Sequence, residues 1–319
     1  MFTRKLGRNG PTVSALGLGC WAIGGPFWRG DNPNGWGQVN DDESLRSIQR
    51  ALDLGVTFLD TSDVYGCGHS ERLLGRALAG RRSQVVIASK FGNVFDEQTR
   101  HVTGEDASAE GVRKACDASL KRLNTDYIDI YQFHLGQYDP VKAVGVRDTL
   151  EDLVAAGKIR AYGWSTDNPE RARVFAAGPH CTSIQQRLNI FEGSAETLAV
   201  CEQFHLASIN RGPLAQGLLT GKFTNDSTIP ADDVRRGWNL RDGDQAKRLQ
   251  KLDKLRSVLT RDGRTLAQAA LGWVWARSPQ TVPIPGFKTV KQIEDNVGAL
   301  RYGPLNAGQM AEIEKLLVE

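Results

Sequence analysis

A chain of 319 residues is long enough for two average domains or for one large α/β barrel. With 40% hydrophobic residues, 24% charged residues and a formal net charge of +3, it has the balance of an ordinary globular protein, and neither nucleic acid nor a membrane is expected as a partner. No apolar run reaches bilayer length, residues 1–11 lack the apolar stretch of a signal peptide, and the five cysteines (Cys20, Cys67, Cys116, Cys181, Cys201) are scattered without a C-x-x-C pair. Reduced thiols in a cytoplasmic protein are therefore expected, most of them as small core residues, with no zinc site.

The chain opens with a predicted hairpin, Thr3-Arg4-Lys5-Leu6 and Thr12-Val13-Ser14-Ala15-Leu16 around an Asn9-Gly10 turn. A repeating pattern of short apolar strand, loop and amphipathic helix then sets in. Strands are predicted at 16–19, 56–60, 85–90, 128–134, 161–165, 183–186, 207–210 and 281–285. Helices are predicted at 42–54, 70–78, 108–123, 141–156, 169–177, 194–204, 265–276 and 289–298. Gly55 and Gly157 stand where helix ends want glycine, and Pro169 follows Asn168 at a helix start. Eight alternating units in one unbroken series predict a (β/α)8 TIM barrel of the α/β class, organised as a single domain over residues 1–319. Two connections, 24–40 and 223–243, exceed the usual loop length and belong on the C-terminal face, where barrel active sites lie. The second leads into an extra helix at 244–260, and a final helix at 307–317 trails the barrel.

The polar residues at strand ends carry the chemistry. Strand two ends in Asp60 and its loop supplies Tyr65, strand three ends in Lys90, and strand four ends in His134. Tyrosine is a poor acid at neutral pH, because its ordinary pKa is about 10. A neighbouring ammonium stabilises the phenolate, a carboxylate keeps that ammonium charged, and a histidine can hydrogen-bond a substrate oxygen. Singly, each has a plain reading as a rim lysine, a satisfied histidine or a turn-capping aspartate. Their conjunction on three consecutive strand ends predicts a general acid that protonates a forming alkoxide.

These residues also resemble a known family. Asp60–Leu78 (DTSDVYGCGHSERLLGRAL) resembles the signature of the aldo-keto reductases. LGLGCWAIGG from Leu16, GKIRAYGWS from Gly157, PLAQGLLTGKF from Pro213 and PIPGFKTVKQIEDNVGAL from Pro283 extend the likeness over nearly the whole chain. The resemblance implies a catalytic tetrad of Asp60, Tyr65, Lys90 and His134. It also implies hydride transfer from NADPH (NADP+), preferred over NADH, to a small-molecule aldehyde or ketone. Cys20 and Trp21 match positions beside the nicotinamide, together with Asp60, while Ser165 and Gln185 match those that hold its carboxamide. Gly212, Leu214 and Gly217 fall in the loop whose N–H groups meet the pyrophosphate, and Lys222 adds charge there. Gly286, Lys288, Gln292, Asp295 and Asn296 match the segment that grips the adenosine end, with Lys288 set for the 2′-phosphate. The run Gly17-x-Gly19-x-x-Ala22 mimics a dinucleotide fingerprint but opens no crossover helix, so it is set aside.

Two positions depart from the family pattern. Thr166 stands where many members have Asn, and Arg211 stands where many place an aromatic residue under the nicotinamide. A guanidinium can stack on a ring; the alternative is an ion pair with a loop carboxylate. Trp21, Trp28, Trp36, Phe91, Leu135 and Trp238, with Tyr65 and His134, are candidates for the substrate pocket, whose aromatic faces suit a sugar aldehyde or an aromatic aldehyde. The plain reading is that some of these tryptophans only pin long loops. Loop 229–243 is a candidate lid. The competing functions are a nicotinamide-binding regulatory barrel with little turnover and an unrelated barrel lyase or isomerase.

Overall fold

The computed structural model describes residues 2–318. It opens with the antiparallel hairpin β1 (Thr3–Lys5) and β2 (Thr12–Ser14), followed by the first barrel strand, β3 (Leu18–Gly19). The long loop behind β3 holds two short strands, β4 (Trp28–Arg29) and β5 (Asn32–Pro33), before α1 (Asp41–Asp53). Next come β6 (Phe58–Asp60), α2 (His69–Ala77) and β7 (Val86–Phe91). A hairpin not among the predicted elements, β8 (Asn93–Asp96) and β9 (His101–Glu105), precedes α3 (Ala109–Leu123). The series continues with β10 (Ile128–Phe133), α4 (Ala143–Ala155), β11 (Ile159–Ser165), α5 (Pro169–Ala176) and β12 (Cys181–Asn189). It ends with β13 (Glu192–Gly193), α6 (Ala195–Gln203), β14 (Ala207–Arg211), α7 (Asp244–Thr260), α8 (Leu266–Arg277), β15 (Thr281–Pro283), α9 (Val290–Gly298) and α10 (Ala307–Val318).

Eight parallel strands lie in the spatial order β3, β6, β7, β10, β11, β12, β14, β15. The ring closes where the N–H of Gly17 donates to the carbonyl of Pro283 and that of Gly19 to Pro285, both at 3.0 Å. This is the expected (β/α)8 barrel with its N-terminal hairpin. Helix starts follow their side chains: Asn40, Ser108, Asn168 and Ser194 each accept an N–H three residues on, and Thr265 forms a capping box with Gln268. No helix among the described residues is long and apolar enough to cross a membrane.

Strand periodicity divides the apolar residues into two cores. Phe58, Ala88, Ile130, Ile209 and Val282 fill the barrel interior, where Leu6 and Val13 of the hairpin join them. Leu59, Ile87, Tyr131 and Phe133, one residue out of phase, pack between the strands and the helices. The interior phase, followed upward along each strand, passes from apolar to polar residues: Phe58 to Asp60, Ala88 to Lys90, Ile130 to Gln132. That switch marks the C-terminal rim as the place for chemistry.

Candidate active site

Lys90 is the hub of the rim. Its Nζ donates to Asp60 Oδ1 at 2.5 Å, to the carbonyl of Thr61 at 2.7 Å and to Tyr65 Oη at 3.2 Å. The Lys90 side chain is 0% exposed and that of Asp60 2%, so the pair is stable only because nearly every polar atom has a partner. The other carboxylate oxygen of Asp60 accepts amide N–H groups from Gln132 at 3.0 Å and Gln185 at 2.7 Å. Strand pairing sets this convergence, because β6, β7 and β10 are direct neighbours.

Tyr65 sits in the turn after β6. Gly66 allows that turn: its φ is +60°, and a Cβ there would lie 1.8 Å from the carbonyl of Gly24. The Tyr65 ring stacks at 21° on Trp21, with centroids 5.9 Å apart, and meets His134 edge-on at 6.0 Å. His134 follows β10 and is fixed by its N–H to the Phe91 carbonyl at 2.8 Å and by Ser62 Oγ, 3.2 Å from Nδ1. All four predicted tetrad residues thus share one site.

Burial raises the pKa of Tyr65, and the opposing charge of Lys90 does not cancel it. The ammonium brings this pKa down, as expected, but burial outweighs it: the net direction is upward, and the phenol keeps its proton at neutral pH. Burial works against the charge on Lys90, but Asp60 and Tyr65 outweigh it and its pKa is raised. Burial, followed by Lys90, Arg211 and Arg29, holds His134 well below its ordinary value, so the imidazole is neutral.

The remaining predicted residues divide. Ser165 ends β11 in register with Gln185. Thr166 donates from Oγ1 to the Gly136 carbonyl at 3.0 Å. Arg211 ends β14 and pairs with Asp167, which realises the ion-pair alternative. Cys20 is fully buried with Sγ 3.7 Å from the Leu18 carbonyl, so its side chain faces the core rather than the rim. Phe91 is also fully buried and stacks on Tyr131 and Phe133 on the helix side of the sheet, because it lies one residue out of the inward phase. Leu135 is 6% exposed. Trp28 stacks on His101 at 5.7 Å, across the junction of β4 and β9 in a four-stranded sheet above the barrel.

The two long loops meet each other. Val234 N–H donates to the Gly35 carbonyl at 2.8 Å, and Trp36 bridges to Asp233. Arg235 lies over the rings of Trp36, Phe223 and Trp238 at 4.7, 5.3 and 5.8 Å and is ion-paired with Asp233. Trp36 and Trp238 therefore pin the loops, as the plain reading allows. Lys288 Nζ donates to the carbonyls of Trp36 at 2.5 Å and Gln38 at 3.2 Å, and its backbone N–H to Gln292 Oε1 at 2.7 Å. Asn296 donates to the Gly286 carbonyl at 3.4 Å, whereas Asp295 accepts from Thr265 and Gln268 at the start of α8. After β14, Gly212 and then Ala215, Gln216 and Gly217 take positive φ, close to Leu214; a Cβ on Gly217 would lie 3.2 Å from Lys222 Nζ. Such left-handed runs turn successive N–H groups toward one side.

Sequence reasoning missed Gln132, Arg235 and the β8–β9 hairpin that carries His101. Gln132 was detectable from phase, since it occupies the inward row two residues below His134. The hairpin had the alternation of NVFD and HVTGE around EQTR. Nothing local distinguished Arg235 among the charged residues of its loop.

A model of the "Aldo/keto reductase family" matches residues 15–318. The chain is 33% identical to the aldo-keto reductase YhdN of Bacillus subtilis, over 97% of this chain and 91% of that one. It is 31% identical to the aldo-keto reductase yakc [NADP(+)] of Schizosaccharomyces pombe, over 94% of this chain and 86% of that one. Among solved structures, it is similar to a glycerol dehydrogenase from Gluconobacter oxydans, with a TM-score of 0.85 and 30% identity over 99% of this chain and 95% of that one. A full-length match to the family, carried on a barrel whose rim joins Asp60, Tyr65, Lys90 and His134, places this chain in the aldo/keto reductase family of carbonyl oxidoreductases.

Proposed function

We propose that the protein reduces an aldehyde or ketone to the alcohol with NADPH in preference to NADH, and that Tyr65 is the proton donor. The observation that carries this reading is the Lys90 ammonium, shared between Asp60 at 2.5 Å and Tyr65 at 3.2 Å. Tyr65 holds its proton until charge develops on the substrate oxygen. As that proton leaves Oη, Lys90 faces the phenolate that remains and stabilises it. Asp60 keeps Lys90 charged, and Gln132 and Gln185 keep Asp60 in place. Neutral His134 presents an N–H to the carbonyl oxygen and orients it. Trp21 covers one face of Tyr65 and limits water there.

The residues present fit NADPH, which when bound supplies the hydride. The fit rests on a cluster of cations. Lys222 and Lys288 both have lowered pKa values, from desolvation first and then from Arg235, opposed by Asp233. Cations that crowd one another in this way suit a phosphate. Lys288 and Arg235 would hold the 2′-phosphate end, the turn at Gly212–Gly217 with Leu214 and Lys222 the pyrophosphate, and Ser165 and Gln185 the carboxamide. Gly286, Gln292 and Asn296 frame the adenosine end. Asp295 and Cys20 contribute through the positions of their segments. The similarity to a glycerol dehydrogenase supports a hydroxylated carbonyl compound, such as a sugar aldehyde, as the substrate of this chain; Trp28 and His101 offer it an aromatic wall, and Trp238 lies farther out against Arg235. The test is NADPH and NADH consumption against a panel of sugar and aromatic aldehydes and ketones. Turnover with NADPH and a hydroxylated aldehyde is expected. NADPH binding without turnover across the panel would overturn the reading and leave a regulatory barrel.

A further inference from the structure

Ser62 Oγ lies between two groups, 3.2 Å from His134 Nδ1 and 3.1 Å from Asp63 Oδ1. Ser62 is 0% exposed and Asp63 2%, so neither can exchange these contacts freely for water. A hydroxyl has one proton, and the direction of this chain decides which nitrogen of the neutral imidazole carries hydrogen. If Asp63 is ionised it can only accept. Ser62 must then donate to it and accept from His134 Nδ1–H, which leaves Nε2 bare. If Asp63 is neutral and donates to Ser62, the hydroxyl donates to Nδ1, and Nε2 carries the hydrogen. Only the second arrangement lets His134 donate from Nε2 to a substrate oxygen.

The neighbours of Asp63 favour its neutral form. The second buried carboxyl nearby, Glu71, takes the local cation: it accepts Arg122 Nε at 2.7 Å and Ser89 Oγ at 2.5 Å. Arg122 also reaches Glu97 at 3.2 Å and Ser119 at 3.4 Å. Burial, then the charge of Glu71, pushes Asp63 up to about 8, with Arg122, Ser62 and the Val64 N–H opposing. Tyr131 and Cys67 also face Asp63, while Lys90, Arg211, Arg29 and Tyr65 face His134.

We propose that Asp63 and Ser62 are positioning residues for the reduction: protonated Asp63, acting through Ser62, holds His134 in the Nε2–H tautomer, and ionised Asp63 reverses the chain. The inference rests on the assignment of His134 as the group that orients the carbonyl. It predicts loss of kcat as pH rises through about 8, below the range where Tyr65 itself titrates.

The test reads the tautomer directly. Two-bond ¹H–¹⁵N correlation spectra of ¹⁵N-histidine-labelled protein, with neither cofactor nor substrate added, resolve five histidines, and His134 is assigned by its loss in His134→Gln. Nε2–H is expected at about pH 6, with conversion to Nδ1–H as pH passes about 8. In Asp63→Asn, whose amide does not ionise and can donate to Ser62 at every pH, Nε2–H is expected throughout. Ser62→Ala is expected to lower kcat roughly tenfold, the equivalent of one lost hydrogen bond, with the Kd for NADPH unchanged. A His134 tautomer that does not change with pH in the unaltered protein, or that changes in Asp63→Asn as it does there, overturns the proposal. Carbonyl turnover together with such a pH-invariant tautomer would remove the relay alone. The expected spectra in a protein that reduces no carbonyl would remove the assigned activity alone.

Discussion

Asp60, Lys90 and Gln132 stand on three neighbouring strands, almost wholly buried, with their polar groups paired to one another. Lys222, Arg235 and Lys288 hang from loops on the same rim and hold aromatic faces and backbone carbonyls instead. The first set has little freedom to move, because each bond is set by strand register and each buried charge has a fixed counterpart. The second set is organised by contact between two long loops, and its cations repel one another. Under the proposed function, proton chemistry falls to the strand-held part of the barrel and recognition to the loop-held part. The contrast also explains how one barrel can keep a reaction while its loops change the substrate.

The largest effect that would break this division comes from the strand set. Lys90→Met leaves Asp60 buried without its cation, and a loss of about 3–5 kcal/mol in stability is expected, with activity abolished. Thermal unfolding followed by circular dichroism checks it; an unchanged Tm would mean that the buried Lys90–Asp60 pair does not stabilise the fold. A smaller effect is expected from the loop set. Lys288→Ala removes one charge-assisted contact, so the KM for NADPH should rise about 10–100-fold, with kcat and the KM for NADH little altered. Equal losses with both cofactors would move the 2′-phosphate site elsewhere, to Arg235 first. The smallest effect is expected at the outer wall. Trp28→Ala should raise the KM for a hydroxylated aldehyde about 3–10-fold and leave NADPH binding unchanged, as the loss of one partly exposed ring contact. Steady-state kinetics on both substrates separates that outcome from a general loss of loop structure.

The same contrast governs how much was readable from sequence. On the strands, a period of two fixes which residues face inward, so the step from Phe58 to Asp60 and from Ala88 to Lys90 locates the rim and its chemistry without coordinates. Phe91 shows the rule from the other side: placing it in the pocket ignored its phase, and the structure puts it against the helices. Gln132 obeyed the rule but looked ordinary, because an amide announces no chemistry until its partner Asp60 is known. The loops have no period. Which of Trp28, Trp36 and Trp238 faces a substrate and which pins a loop depends on tertiary contacts, and the role of Arg235 depends on three rings distant in sequence. Arg211 lay between these cases: its strand position was legible, while its partner Asp167 belongs to a different strand's loop.

The central claim is that Tyr65 gives the proton and that its neighbours serve it. Tyr65→Phe removes only the hydroxyl that Lys90 contacts at 3.2 Å and keeps the ring that stacks on Trp21. Turnover of NADPH with a reducible aldehyde, measured beside a fluorescence titration of NADPH binding, is the direct measurement. Loss of steady-state reduction by a factor of at least about 10³ with an unchanged Kd is the expected result. Retained turnover in Tyr65→Phe would contradict the account and hand the proton to another group.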